Sequence, residues 1–178
     1  TGGNIQIDAQ DDVTNQGTLY ASGTAAVNSQ GTLQNNGTLA AGQKVSVHAQ
    51  TIQSVGTLAA GVKEDRTSLA NQGVLEVGAQ TIDNAVNGKF SAQGTTNITV
   101  TGTFTNRGLI DGGKTRIETD NLTNIGTGRI YGDDLAIKTN TLINESENGD
   151  NSVIAARNRL DIGAKTITNR EHALLFSE

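Results

Sequence analysis

The sequence GTLAAG occupies residues 37–42 and returns at residues 56–61, a spacing of 19 residues, and the related GTLYA lies at residues 17–21. Self-similarity at such a period is the signature of a repeat architecture, in which each repeat is one small unit stacked on its neighbour. The frame continues less literally as KFSA at 89–92, LIDG at 109–112, RIYG at 129–132 and VIAA at 153–156.

Pairs of apolar residues at period 2 stand between these copies, which is the pattern of a short strand with one face turned inward. A single apolar residue follows each pair a few positions later. Each repeat of about 20 residues thus predicts three short strands. The pairs are Ile5/Ile7, Ala25/Val27, Val45/Val47, Leu75/Val77, Ile98/Val100, Thr115/Ile117, Leu135/Ile137 and Leu160/Ile162, and the single residues are Val13, Leu33, Ile52, Ile82, Phe104, Leu122, Leu142 and Ile167.

The most specific signal lies two positions after each single apolar residue, where seven of eight repeats carry Asn and one carries Ser54. Asn tolerates the left-handed conformation of a tight corner, and identical amides stacked at the strand spacing of about 4.8 Å can hydrogen-bond along a ladder. We therefore predict a structural Asn ladder. Its members are Asn15, Asn35, Asn84, Asn106, Asn124, Asn144 and Asn169.

A second regular position follows the Leu, Ile or Phe of the GTLAAG frame by two residues and is always small, which predicts a tight inward corner. Its members are Ala21, Ala41, Ala60, Ala92, Gly112, Gly132 and Ala156. Together these patterns predict an all-β fold, a right-handed parallel β-helix of about eight coils. Residues 1–178 are expected to form a single β-helical segment of a longer chain. An antiparallel sandwich gives no reason for Asn at one recurring offset.

The composition suits a narrow tube and limits the functional classes. The 178 residues include 22 Gly, only 3% aromatic residues and no Pro, Cys, Met or Trp, with a formal charge of −5. The absence of Cys removes disulfides and thiolate metal sites, and an acidic balance argues against a nucleic-acid partner. No apolar run approaches the roughly 18 residues of a membrane span, so membrane insertion is not predicted.

Two repeats are longer than the others and predict surface loops, near residues 62–72 and 145–151. The first loop carries Lys63, Glu64, Asp65 and Arg66, which are the candidate ligand-binding residues for a receptor or glycan. The alternative is a solvated turn whose charges cancel. The second loop is rich in the oxygen ligands that Ca²⁺ prefers, but its spacing is not that of an EF-hand, and an acidic solvated loop is favoured.

The sequence contains no evident catalytic constellation. His48 follows the inward Val47 and should point outward, and neither it nor His172 has a nucleophile and an acid at a suggestive spacing. The acid pairs Asp11/Asp12 and Asp133/Asp134 lie about six coils apart, whereas solenoid enzymes that cleave polysaccharides cluster their acids on successive coils. We predict that the chain is not an enzyme and uses no cofactor or metal.

The repeated GTLAAG units, the apolar-x-Asn corners and the extended stretch from Gly56 to Gln80 resemble the filamentous haemagglutinin-like exoproteins of two-partner secretion. The resemblance covers essentially the whole chain and loosens after about Asp111. It implies a haemagglutinin-repeat stalk that an outer-membrane transporter exports to the bacterial cell surface. Members of this family include adhesins, haemolysins and carriers of contact-dependent growth-inhibition toxins.

Two functions from different classes remain open at this point. A stalk that projects a receptor-binding or toxin region toward a target cell predicts regular coils with unpatterned polar faces. A module that binds a surface receptor or glycan directly predicts a protruding loop, for which only residues 62–72 qualify. Because an open solenoid exposes unpaired strand edges, we also expect either end-to-end association or a cap formed by residues 170–178.

Overall fold

The computed structural model of the protein describes residues 3–178, so the first two residues of the expected segment lie outside the described residues. The described range contains fourteen strands and no helix. The strands are β1 (Ile5–Ala9), β2 (Val13–Asn15), β3 (Thr18–Ala21), β4 (Thr24–Ser29), β5 (Thr32–Asn35), β6 (Thr38–Ala41), β7 (Lys44–Ser54), β8 (Thr57–Ala60), β9 (Val74–Asn84), β10 (Lys89–Asn106), β11 (Leu109–Ile125), β12 (Arg129–Glu145), β13 (Val153–Arg170) and β14 (Leu174–Ser177).

These strands wind into a parallel β-helix with three faces, and every pairing between neighbouring coils is parallel. We call the strand segments stacked on β1 face A, those stacked on β2 face B, and those stacked on β3 face C. From β10 to β13 a single long strand follows more than one face in turn. Each face carries eight stacked segments, in agreement with the predicted fold of about eight coils.

The interior is filled by one inward residue or pair from each face. On face B, Leu33, Ile52, Ile82, Phe104 and Leu122 stack in register and are at most 2% exposed. Burying an aliphatic or aromatic side chain of this size stabilises the fold by about 1.5–3 kcal/mol. Because such residues recur in every coil, the core is one continuous column and no coil has a core of its own.

The column of small residues lies at an inward corner of face C, as expected. Ala41 and Ala60 are at most 1% exposed. At Gly112 an added Cβ atom would lie 2.8 Å from Thr96 Oγ1 and 2.9 Å from Thr115 Oγ1, so even a methyl group is tight there. The uniform small size therefore reflects the space available and not a loop conformation.

The apolar pair predicted in the fifth coil is displaced by two residues. The observed register places Thr96 beside Leu75 and Ile98 beside Val77. Ile98 and Val100 are both buried, as predicted, but the pair equivalent to those of the other coils is Thr96/Ile98. Thr96 is fully buried. A hydroxyl can take an inward position because a backbone carbonyl of the next coil accepts its proton, as Tyr131 O does for Thr115 over 2.9 Å.

The recurring Asn residues form a hydrogen-bonded column inside the helix, next to face B. Wherever the next coil also carries Asn, the side-chain nitrogen donates to the side-chain oxygen of that Asn. The donor–acceptor distances are 2.9 Å for Asn15–Asn35, 2.7 Å for Asn84–Asn106, and 2.8 Å for Asn106–Asn124, Asn124–Asn144 and Asn144–Asn169.

The prediction that these Asn residues adopt a left-handed conformation is wrong. None of them has a positive φ angle among the described residues; they lie in extended strand ends and turn inward. Six are buried and Asn169 is exposed. Asn is selected here because its amide both donates and accepts within the strand spacing, so one side chain can join the coil before it to the coil after it.

The last strand continues the helix. Residues 174–177 pair in parallel with residues 153–156 of β13 and complete face C of the eighth coil. The prediction of a fold-back cap is therefore wrong, because the segment keeps the register of the preceding coils. Leu175 packs against the core, while Leu174 and Phe176 remain 47% and 46% exposed.

Candidate functional site

The insertion at residues 62–72 connects face C of the third coil to face A of the fourth. It is a compact hairpin-like turn. The Lys63 amide donates to Thr67 O over 2.9 Å, and the Arg66 amide donates to Lys63 O over 2.9 Å. A short antiparallel bridge joins Val62 to Ser68. The loop therefore has defined local structure that presents its side chains in fixed positions.

Asp65 maintains this turn. Its carboxylate accepts hydrogen bonds from the Thr67 hydroxyl at 2.6 Å and from the Thr67 amide at 2.9 Å. These hydrogen bonds lower the pKa of Asp65 below its usual value. Asp65 thus has a structural contact within the loop. Lys63, Glu64 and Arg66 are exposed and free to meet a ligand from solvent.

The base of the loop is fixed to the outer surface of face C. Val62 is buried against Ala40 and Ala59, and the partly buried Tyr20 packs on the same cluster. The Tyr20 hydroxyl also donates to Val62 O at 3.4 Å. This small outer cluster explains why face C carries Ala on its outward side in the second and third coils, since a longer side chain there would displace the loop.

A groove of about 210 Å³ lies between the loop and the outer surface of face C; we call it the face C groove. Of the four candidate residues from the sequence, only Arg66 lines it. The other charged lining residues, Lys89 and Asp111, come from later coils and were not identified as site residues from the sequence. The lining residues are Thr38, Ala40, Thr57, Ala59, Ala60, Val62, Arg66, Ser68, Lys89, Ser91, Gln93, Leu109 and Asp111.

The charges in the groove are unevenly paired. Within residues 3–178, neither Arg66 nor Lys89 forms an ion pair. Asp111 is held by Arg157, whose two terminal nitrogens lie 3.1 Å from its Oδ1, and Arg157 also reaches Asp133 Oδ1 at 3.2 Å. The groove therefore contains two unpaired cations and one acid, Asp111, whose partner Arg157 is shared with Asp133.

The second insertion, at residues 145–151, is held by ion pairs to neighbouring coils. Glu147 accepts a bidentate hydrogen bond from Arg107, at 2.8 and 2.9 Å, and this contact lowers the pKa of Glu147 below its usual value. Glu145 pairs with Arg170 Nε at 2.6 Å. Both carboxylates thus have cationic partners, and the described residues contain no group of three or more side chains suited to hold a metal ion.

The remaining titratable residues that the sequence singled out are not brought together. His48 is exposed, as the strand alternation predicts, and its ring lies over Gly78 of the next coil on face A. His172 is exposed in the turn before β14. Asp11 and Asp12 lie in the first coil, far along the helix from Asp133 and Asp134.

Comparison with protein-family models, with curated proteins and with solved structures finds no match to this chain. Among the residues described, no helix is long and apolar enough to span a membrane. The fold and the contacts described above are therefore the basis for a functional assignment.

Proposed function

We propose that this chain is a structural segment of the stalk of a large bacterial exoprotein, exported by an outer-membrane two-partner secretion transporter. In this role the coils mediate adhesion or project a receptor-binding or toxin region toward a target cell. The proposal joins the resemblance of the repeats to such exoproteins with a β-helical fold that suits a spacer. The segment would lie outside the outer membrane.

The observation that carries the proposal is the continuity of the coil-to-coil contacts. Backbone pairing runs unbroken from the first coil to the last on all three faces, and the Asn column adds a buried side-chain link at most of the steps. The strands of each coil pair only with those of the neighbouring coils, so the molecule extends in one dimension as coils are added. A rod built in this way can hold an attached region at a fixed distance from its base.

The test uses two shortened variants of the full-length protein. Residues 109–128, one complete coil, are deleted in frame in one variant, and the loop at 62–72 is replaced by the short Gly42-Gln43 connection in another. A stalk predicts that both variants are still exported and that surface display, measured with antibody on intact cells, persists. Deletion of the transporter should abolish display. Display that survives without the transporter contradicts the secretion route, and loss of adhesion on loop replacement alone contradicts a purely passive stalk.

A further inference from the structure

The unpaired cations of the face C groove are unexpected in a molecule of this charge. The chain carries a net charge of −5, yet Arg66 and Lys89 line one groove and neither has an acidic partner within the described range. The nearest lining acid, Asp111, is occupied by Arg157. The groove therefore offers positive charge to a ligand at a defined place on a chain whose net charge is negative.

The other groove residues suit a ligand that is rich in hydroxyl groups. Ser68, Ser91 and Gln93 supply side-chain donors and acceptors to the groove, and Ala59 and Leu109 add apolar surface to its lining. A pyranose ring has one relatively apolar face and a rim of hydroxyl groups. The combination of apolar lining residues with hydroxyl and amide groups matches that distribution.

We propose that the face C groove binds an anionic residue of a saccharide chain, with Arg66 and Lys89 contacting its carboxylate or sulfate group. At about 210 Å³ the groove is smaller than the roughly 300–1,000 Å³ of sites for drug-sized ligands, so it accommodates one sugar ring of a longer chain. This binding role goes beyond the proposed stalk function and does not depend on the secretion route.

An acidic peptide is a less suitable ligand for this surface. Extended peptides commonly bind by adding a strand to an open sheet edge or by placing a helix in an apolar groove. In face C, the segments β6, β8 and residues 89–92 of β10 pair with coils on both sides, so they present no free backbone edge beneath the loop. The groove therefore has to recognise its ligand through side chains.

The loop is organised before any ligand binds. Arg66 has a φ angle of 67°, a left-handed conformation that a residue with a long side chain adopts only where the surrounding turn imposes it. The capping contacts of Asp65 and the packing of Val62 on Ala40 and Ala59 impose it here. Because the loop is already ordered, binding does not carry the cost of ordering it, and Arg66 is held next to the groove.

A second depression further along face C gives a saccharide chain more surface. It is lined by Tyr131, Ala155, Ala156, Arg157, Phe176 and Glu178, and its volume is about 200 Å³. Tyr131 and Phe176 lie on the outward side of face C, the side on which Ser91 and Asp111 line the groove. Aromatic side chains present flat apolar surfaces with a polar edge in the case of Tyr, and sugar rings stack on such surfaces.

The test is calorimetric titration of the intact chain with three probes: an oligogalacturonate, its fully methyl-esterified counterpart and a heparin-derived oligosaccharide. We expect binding of at least one anionic probe and none of the neutral ester, with an affinity that falls as salt is raised. Binding of the first probe only identifies a carboxylate ligand, and stronger binding of the third identifies a sulfated one. Absence of binding by both anionic probes, or equal binding of the ester, overturns the proposal.

Three variants locate the site. Arg66→Gln and Lys89→Gln should each weaken binding about tenfold, because each removes a charge-assisted contact in the groove. Lys165→Gln is the control, since it removes the same charge from an exposed residue of the eighth coil that does not line the groove, and it should leave the affinity unchanged. Equal losses in all three variants, or tight binding of an acidic glutamate peptide, contradict a saccharide site in the groove. Thermal melts confirm that each variant is folded.

Discussion

Asn124 shows how one side chain joins several coils. Its Nδ2 donates to Asn144 Oδ1 at 2.8 Å and to Val153 O at 3.1 Å, and its Oδ1 accepts from Asn106 Nδ2 at 2.8 Å. The residue is fully buried, so water cannot replace these partners. An unpaired buried polar group costs about 1–3 kcal/mol, which makes the column stabilising only as long as it is continuous.

The column is interrupted at one position. Ser54 occupies the Asn position of the third coil, and its hydroxyl donates to Gly56 O at 3.3 Å rather than to the next coil. Asn84 Oδ1, in that next coil, is the buried side-chain atom without a hydrogen-bond partner among the described residues. The short Ser54 side chain thus accepts a hydrogen bond from Asn35 but donates none to Asn84 in the next coil.

The Asn124→Leu variant tests the column at a single residue. We expect a loss of about 1–3 kcal/mol in the free energy of unfolding, because Asn106 Nδ2 and Asn144 Oδ1 both lose a partner inside the helix. The measurement is the midpoint of urea unfolding. Asn36→Leu makes the same chemical change at an exposed corner and should shift the midpoint little. Equal midpoints for the two variants would show that the buried amides contribute nothing net.

The corner glycines permit a paired test of close approach between coils. An added Cβ at Gly37 would lie 2.0 Å from Gly17 O in the coil before it, whereas at Gly17 nothing lies within 4 Å. Gly37→Ala should therefore destabilise the protein by about 1–3 kcal/mol. Gly17→Ala, at the same place in the repeat, should be neutral or stabilising by up to about 1 kcal/mol. Thermal unfolding of both variants tests this, and a reversed order is incompatible with the stacking described.

The positions of these residues could be predicted from the sequence, but their conformations could not. A fixed offset from the preceding apolar residue is enough to place Asn106 and Asn124 in one column, because identical repeats stack identical positions. The offset does not reveal whether Asn forms a left-handed corner or an inward amide, since both are favourable uses of Asn. The displaced pair in the fifth coil has a similar cause, because a buried Thr96 looks polar in the sequence.

At the scale of elements, the two insertions are fixed to the helix in different ways. The loop at 62–72 is packed on face C by Val62, an apolar contact, whereas the loop at 145–151 is held by the bidentate pair between Glu147 and Arg107. The backbone of the second loop is closed by reciprocal hydrogen bonds between Glu147 and Asp150 at 3.0 and 2.9 Å. Acid should therefore weaken the ion pair that fixes the second loop to the β-helix, whereas in the first loop it should weaken the Asp65 turn and leave the packing of Val62 in place.

Acidification should release the loop at 145–151. Hydrogen bonds from Arg107 lower the pKa of Glu147, so the contact contributes stability above the ordinary Glu pKa of about 4.3, and that stability is lost as pH falls through the lower folded value. NMR titration of Glu147 in an Arg107→Gln variant should show its pKa rising toward the ordinary value. Lys138→Gln, which removes the partner of Glu118 instead, is the control. An unchanged Glu147 titration in Arg107→Gln contradicts the clamp.

The insertions could be located from the sequence by the departure from the repeat period, but their partners could not. Arg107 and Glu147 are 40 residues apart, and nothing in the local sequence of either one indicates the other. In the same way, Lys89 and Asp111 line the same groove as Arg66 only because the loop lies over the coils that follow it. The direction in which a loop leans depends on side chains of several coils, such as Tyr20 and Ala40, and no periodic pattern specifies it.

At the scale of the whole molecule, eight coils at about 4.8 Å per coil give a rod roughly 40 Å long. Its stability is the sum of many similar contacts between neighbours, so no one coil is indispensable, whereas each depends on the coil beside it. This arrangement suits a spacer, and it also allows a local feature such as the face C groove to be added by one insertion without disturbing the rest of the rod.

The most direct test of the in-register parallel stacking is disulfide formation between introduced cysteines, which is clean because the chain has no Cys of its own. Thr105 and Thr123 are partners in adjacent coils, and Thr123 is the partner of Ile143 in the coil after that. Disulfides require Cα atoms about 4.4–6.8 Å apart. The double variant with Cys at 105 and 123 should therefore oxidise readily to an intramolecular disulfide, while the variant with Cys at 105 and 143, two coils apart, should not. Equal oxidation of the two pairs, or preference for the second, would contradict the stacking on which the whole account rests.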